Sequence, residues 1–148
     1  IYGGVTVEDD VFLGPSCVLT NISNPRSQVC RKSLYEKTLI SRGSTIGANA
    51  TILCGIKLGR YCFIAAGAVV TKDVPDYCLI LGNPGKLFGF MSRHCHKLHF
   101  DEKNQAICPE SHFRYEKTGE NVRCLDLNED KPLPDELSVG SKSYDEFK

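Results

Sequence analysis

The sequence predicts an all-β fold: a parallel β-helix built from six-residue faces, followed by a small β-rich extension. Three observations carry this. Steps of six from Ile40 land on Ile46, Ile52, Leu58, Ile64 and Val70, and steps of six from Ile1 land on Val7, Leu13 and Leu19. A second register, four residues after these positions, holds smaller or β-branched residues: Val5, Val11 and Cys17, then Ala50, Ile56, Cys62, Ala68 and Val74. The residue after the aliphatic one is often small, as at Gly14, Gly47, Gly59 and Ala65.

A period of six matches neither the 3.6 of a helix nor the two of a simple strand. It matches a coil with three short faces, in which each aliphatic side chain points into a triangular core and stacks on its counterpart in the next coil. The small residue is expected to let the chain turn tightly. The two blocks are out of phase, because Leu19 and Ile40 are not separated by a multiple of six. Between them lies a polar segment with Pro25 that is rich in Arg and Lys, expected to be a loop inserted at one corner over residues 20–38. Long loops on regular scaffolds commonly carry function. The pattern already runs at Ile1, so coils are expected to precede it.

The repeat ends near Val74. Pro75-Asp76 breaks it, Tyr77 to Leu81 reads as one more strand, and Gly82-Asn83-Pro84-Gly85 as a turn. After Phe90 the composition changes, and two short strands are expected, Phe113 to Glu116 and Val122 to Leu125. The domain reading is therefore a β-helix over 1–87, an extension over 88–127 and an extended tail over 128–148 that packs locally or frays.

Composition bounds the function. Eighteen basic and eighteen acidic side chains cancel, which gives no support for a nucleic-acid or anionic-membrane partner. No apolar stretch is long enough to span a bilayer, and the first residues lack a signal-peptide pattern. The eight cysteines form no Cys-x-x-Cys pair. Beside so extended an apolar repeat they read as reduced thiols of a cytoplasmic protein rather than as a disulfide scaffold, with Cys17, Cys54 and Cys62 as small buried hydrophobes.

Val11-Phe12-Leu13-Gly14-Pro15-Ser16, Thr20-Asn21, Asn24-Pro25-Arg26-Ser27, Thr45 to Ile52, Ile64 to Pro75 and Gly82-Asn83-Pro84 together resemble the hexapeptide-repeat nucleotide-sugar N-acetyltransferases. The similarity is greatest to enzymes acting on UDP-2-acetamido-3-amino-2,3-dideoxy-glucuronate, with dTDP-3-amino-hexose acetyltransferases close. It covers about the first two thirds of the chain. The hexad alone is shared by many acyltransferases and some carbonic anhydrases, whereas the Thr-Asn-x-x-Asn-Pro-Arg-Ser loop is more specific. The resemblance implies a left-handed β-helix, acetyl-CoA as co-substrate, transfer to a 3-amino group in surface-polysaccharide synthesis, and a homotrimer with its sites between subunits.

By that resemblance Asn21, Asn24 and Arg26 face the nucleotide-sugar, with Arg26 able to pair with a diphosphate or a sugar carboxylate. Backbone amides around Ala48, Ala66 and Gly67 are candidates for the pantetheine arm and thioester carbonyl. Lys72, Asn83 and Lys86 are candidates for the nucleotide end of CoA. All four histidines follow residue 93, so the repeat supplies no histidine base. Either a base lies in preceding coils, or the amine is bound neutral or loses its proton through water. For the same reason the zinc-binding carbonic anhydrases of this fold are disfavoured. The alternatives that remain are another hexapeptide-repeat acyltransferase, acting on a 4-amino sugar or a small-molecule O-acetyl acceptor, and a non-catalytic β-helix subunit, the last of which the loop argues against. In the extension, His94, Cys95, His96, Cys108 and His112 include metal donors, and some family members carry what looks like a zinc ribbon there. Here Ser111 stands where a second thiolate would sit, and no metal is expected.

Overall fold

The computed structural model describes residues 1–148. Successive strands join three parallel sheets in rotation. β1 (Val5–Val7), β4 (Thr38–Ile40) and β7 (Lys57–Leu58) form the first sheet; β2 (Phe12–Leu13), β5 (Thr45–Ile46), β8 (Phe63–Ile64) and β10 (Cys78–Leu81) the second; β3 (Val18–Leu19), β6 (Thr51–Ile52) and β9 (Val69–Val70) the third. The chain therefore winds as a three-sided parallel β-helix.

The registers place the aliphatic residues in ladders. Leu13, Ile46, Ile64 and Ile80 line the second sheet, Leu19, Ile52 and Val70 the third, and Val7, Ile40 and Leu58 the first. Ile40, Ile46, Ile52, Leu58 and Ile64 are wholly buried. Val7, Leu13 and Leu19 pair with residues 33 positions on, whereas the next coil repeats after 18. The loop accounts for the difference. Four positions depart from the sequence reading. Ile1 precedes β1 and is 78% exposed. The last coil is two residues short, so Val74 pairs with Leu58 in the main ladder rather than holding the secondary register. Thr38 and Ser44 also fill core positions. Pattern reading passes over them because they are polar, yet the Ser44 hydroxyl bonds the carbonyls of Ser41 and Gly59 and the Thr38 hydroxyl accepts from the Gly55 amide.

The tight turn is made elsewhere than expected. Residues with positive φ recur every six positions at Gly4, Asp10 and Ser16, then Gly43, Asn49, Gly55, Tyr61 and Gly67. These sit three residues after the aliphatic one and form the corners. The small residue directly after the aliphatic has a different job. A Cβ on Gly47 would lie 2.5 Å from the Ala66 amide nitrogen, and one on Gly59 2.5 Å from that of Asp76. Gly14, Gly47 and Gly59 therefore let successive coils approach, while the corner residues bend the chain.

β10 pairs antiparallel with β11 (Lys86–Phe90), which crosses the expected boundary at 87/88. The extension is a three-stranded antiparallel sheet, β12 (Gln105–Ile107), β13 (Arg114–Thr118) and β14 (Asn121–Cys124). The β13–β14 hairpin matches the expected pair of strands; β12 was not foreseen, because three residues carry too little pattern. Helix and extension share one apolar cluster. At their junction Tyr61 and Tyr77 stack with centroids 5.4 Å apart, and Tyr77 meets Tyr115 edge-on at 5.4 Å. The buried Arg93 guanidinium lies 4.3 Å from the centre of the Tyr61 ring and donates to the Tyr61 hydroxyl and to the carbonyls of Asn128 and Lys131.

The tail packs rather than frays. Arg60 pairs with Asp130, and the Tyr61 hydroxyl donates to the Glu129 carbonyl. Three histidines of the extension also meet the tail. His94 bonds the Leu137 carbonyl, His99 the Phe147 carbonyl, and the His96 ring packs edge-on against Phe147. Glu110 accepts from the amides of Ser141 and Lys142 and bonds His96 at 2.7 Å. The Ser141 amide first, then His96 and the Lys142 amide, hold its carboxyl down to about 2, against an ordinary 4.5.

Two outcomes follow. Gly47→Ala drives a methyl into the backbone of the next coil and should cost about 3 kcal/mol, whereas Gly67→Ala meets open space and pays only the left-handed corner, about 1 kcal/mol; denaturant unfolding should rank them in that order. Glu110 is a depressed carboxylate, so its hold on residues 141–148 is complete above pH 4.5 and lost as pH falls toward 2. Amide exchange in that segment should accelerate across that window, and less so in Glu110→Gln.

Candidate functional site

The three corners of the prism differ. The first, through Asp10, Gly43, Tyr61 and Tyr77, is covered by the tail and lined with paired charges: Arg42 with Asp9 and Asp10, Arg60 with Asp76 and Asp130. The second, through Ser16, Asn49 and Gly67, carries no insertion. The third carries the loop in the first coil and Gly55 in the next.

The loop is fastened at its base. The Thr20 hydroxyl accepts from the Cys54 amide at 2.9 Å, and the Glu36 amide donates to the Asn21 carbonyl at 2.9 Å. The Ser23 hydroxyl donates to the Glu36 carboxylate, and the Cys54 thiol approaches the same oxygen at 3.5 Å. Those contacts, the Ser23 hydroxyl foremost, lower the Glu36 pKa below its usual range. A Cβ on Gly55 would collide with the other Glu36 oxygen, so the carboxylate lies flat on a corner that only glycine leaves open. Cys54 is buried, as expected of a small hydrophobe, but it also serves this latch.

Beyond the latch the loop borders an open recess of about 600 Å³, lined by residues 25–32 with Ile22 and Tyr35. Arg26 lines it; Asn21 and Asn24 do not. Two cations that the sequence reading did not single out, Arg31 and Lys32, line it as well. A run of charge in a loop reads as solvated surface until the fold gathers it along one recess.

Ala48 and Ala66 lie one above the other on the second corner, where the Gly67 amide donates to the Ala48 carbonyl at 2.8 Å. The Gly67 amide is thereby used, while those of Ala48 and Ala66 donate to no acceptor within the chain. Ala66 and Gly67 are exposed. The Gly82–Gly85 turn is tied to the third coil, the Val69 amide bonding the Gly82 carbonyl and the Gly85 amide the Val69 carbonyl. Lys72 lines a cavity of about 190 Å³ beside Gly85, Leu87 and Glu120, and Asn83 and Lys86 lie exposed at the same end of the prism.

Three of the metal-donor residues of the extension are otherwise engaged. Cys108 hydrogen-bonds Ser92 at 3.2 Å, His94 and His96 have the partners above, and no group of three or more His, Cys, Asp or Glu side chains is placed to hold a metal ion. Burial pushes the Cys62 and Cys78 thiols up to about 12, which suits core packing and not nucleophilic attack. No helix is long and apolar enough to cross a membrane.

Coil and repeat together define a hexapeptide-repeat β-helix: residues 37–72 match the family model described as bacterial transferase hexapeptide (six repeats). Among solved structures the chain is similar to a hexapeptide-repeat acetyltransferase from Vibrio cholerae, with a TM-score of 0.52 and 28% identity over 58% of this chain and 51% of that one. It is similar also to a galactoside acetyltransferase in complex with coenzyme A, with a TM-score of 0.52 and 25% identity over 66% and 50%. Likeness to such acetyltransferases implies the left-handed sense of the coil. In sequence, 74 residues are 45% identical to the dTDP-3-amino-3,6-dideoxy-alpha-D-galactopyranose 3-N-acetyltransferase of Aneurinibacillus thermoaerophilus, covering 50% of this chain and 38% of the relative. The chain thus spans less than half the length of that relative.

If the Glu36 contacts pin the loop, Glu36→Ala should raise the rate of tryptic cleavage at Arg26, Arg31 and Lys32 severalfold at an unchanged unfolding midpoint. Unchanged cleavage would mean that the loop's own turns hold it.

Proposed function

We propose that this protein is an acetyl-CoA-dependent N-acetyltransferase acting on a nucleotide-linked amino sugar. One observation carries the reading furthest. A loop whose arginines have no carboxylate partner stands on a coil of the acetyltransferase repeat, in a sequence 45% identical over 74 residues to an enzyme of that activity.

The chemistry needs few protein groups. A neutral amine attacks the thioester carbonyl, and the oxyanion so formed collapses to expel the CoA thiolate. The thiolate then takes up the proton that the nitrogen gives up, directly or through water, leaving an amide and free CoA. Positioning and an oxyanion donor do most of the work. The free amides of Ala48 and Ala66 are the proposed donors along the pantetheine arm, with Gly67 leaving room beside them. Lys72, Asn83 and Lys86 are assigned to the CoA nucleotide end, and Asn21, Asn24 and Arg26 to the acceptor. The histidines of the extension that bond the tail are committed there, which favours an amine delivered neutral over a histidine base on this chain.

Within that activity we favour a 3-amino acceptor, on the identity to a 3-N-acetyltransferase, and a sugar bearing its own carboxylate as in the glucuronate enzymes. A diphosphate carries two charges, whereas the loop cavity holds three cations and no carboxylate. A homotrimer, a cytoplasmic setting and a role in surface-polysaccharide synthesis complete the reading.

The test is CoA thiol release from acetyl-CoA by the protein at its whole length, with UDP- and dTDP-linked 3-amino and 4-amino sugars, with and without a sugar carboxylate. Release with a 3-amino uronate above all others, lowered at least tenfold by Arg26→Met, is the expected result. Release with none of them would sink the reading, and a lack of CoA binding would turn attention to a non-catalytic β-helix.

A further inference from the structure

The arginines of this chain divide sharply. Arg42, Arg60, Arg114 and Arg123 each pair with a carboxylate, and Arg93 donates both terminal nitrogens to carbonyls and the Tyr61 hydroxyl, leaving only its Nε without a partner. The two that remain, Arg26 and Arg31, stand in the same loop and line the same cavity. Neither meets a hydrogen-bond acceptor. Arg31 goes further, because its Nη1 is shut off from solvent with no partner at all. A shielded guanidinium N–H without an acceptor is costly, and native structures rarely leave one unless something binds there.

The loop also had the means to neutralise them and does not use it. Glu36 is its one carboxylate between residues 20 and 38. The Ser23–Cys54 latch turns that carboxylate onto Gly55, outside the cavity. What is left is a recess of about 600 Å³ with Arg26, Arg31 and Lys32 on its walls, no acid, and the apolar faces of Ile22, Val29 and Tyr35. That volume falls in the range of small-molecule sites, roughly 300–1,000 Å³.

We infer that this recess is the seat of the acceptor's nucleoside diphosphate, with Arg31 as the residue that grips the diphosphate and Tyr35 and Val29 supplying the apolar surface for the base. The guanidinium fork suits two phosphate oxygens at once. This assignment rests on the nucleotide-sugar reading above, and adds to it residues that neither the sequence motif nor the relatives' names indicate.

CoA carries phosphates too, so the same chemistry has a second source. The fold argues for the acceptor. Of the cations proposed for CoA, Lys72 follows β9 at the end of the third coil and Lys86 opens β11 beyond the fourth, while the loop springs from the first. At about 4.8 Å per layer, two layers put Lys72 about 10 Å from the loop along the axis and four put Lys86 about 19 Å from it.

The experiment is calorimetric titration of UDP, dTDP and adenosine 3′,5′-bisphosphate, the last standing in for the anionic end of CoA. The proteins are the wild type, Arg31→Met, Arg31→Lys and, as a charge-matched control far from the loop, Arg123→Met. The expected result is that UDP or dTDP binds the wild type, that Arg31→Met weakens this at least tenfold and Arg31→Lys less, and that Arg123→Met has no effect. Adenosine bisphosphate should bind all four alike. Absence of nucleoside-diphosphate binding by the wild type overturns the assignment, as does wild-type affinity in Arg31→Met. Equal weakening of adenosine bisphosphate by Arg31→Met hands the recess to CoA. Failure of the functional reading looks different: tenfold loss of UDP binding in Arg31→Met together with no thiol release from acetyl-CoA for any amino sugar leaves the recess standing and removes the acetyltransferase.

Discussion

The structure depends on one backbone constraint, a left-handed residue at every sixth position. Each such residue turns the chain from one face of the prism to the next, and the amide at a corner donates to the coil beneath: Gly43 to Asp9, Tyr61 to Arg42, Tyr77 to Arg60 and Gly67 to Ala48. Glycine and asparagine take this conformation at low cost, and a tyrosine does not. Tyr61 is held there by what surrounds it: its ring lies over Gly43 and under the Arg93 guanidinium, and stacks on Tyr77. The corner that costs most in backbone energy is thus the one to which the extension and the tail are attached. The same side chain that strains the coil supplies the surface that closes it.

That attachment shapes where chemistry can occur. With the first corner taken up by tail and ion pairs, the second keeps exposed small residues and two free amides, and the third carries the loop. Small-residue backbone and a cation-lined recess are thereby set on neighbouring corners of one rigid coil, an arrangement that suits bringing two phosphate-bearing substrates together. Rigidity matters here because the proposed reaction relies on placement more than on acid–base groups. The loop gains its share of it from three side chains, Ser23, Glu36 and Cys54, that link its base to the next coil.

Much of this was readable in the residue order. Period six, the dephasing between Leu19 and Ile40, the strand before Gly82 and the β13–β14 hairpin all appear where the pattern put them. The errors have local causes. Val74 changed ladder because the last coil is two residues short. Thr38 and Ser44 are core residues disguised by hydroxyls that bond back to the main chain. Gly14, Gly47 and Gly59 read as turn residues, because sequence shows that a side chain is absent but not what would have collided with it.

The candidate site divides along the same line. Sequence by itself determined the repeat, and hence the corners with their small residues, because periodic burial leaves a mark at every step. It also marked the loop, because an insertion interrupts the phase. Only the tertiary structure decided that Arg31 faces a recess, that Glu36 turns away from it, and that the start of the tail straps one corner while its remainder packs on the extension. Those outcomes depend on contacts such as Arg93 with Lys131, or Cys54 with Glu36, between residues far apart in the chain. No period links such residues, so nothing in their order announces that they meet.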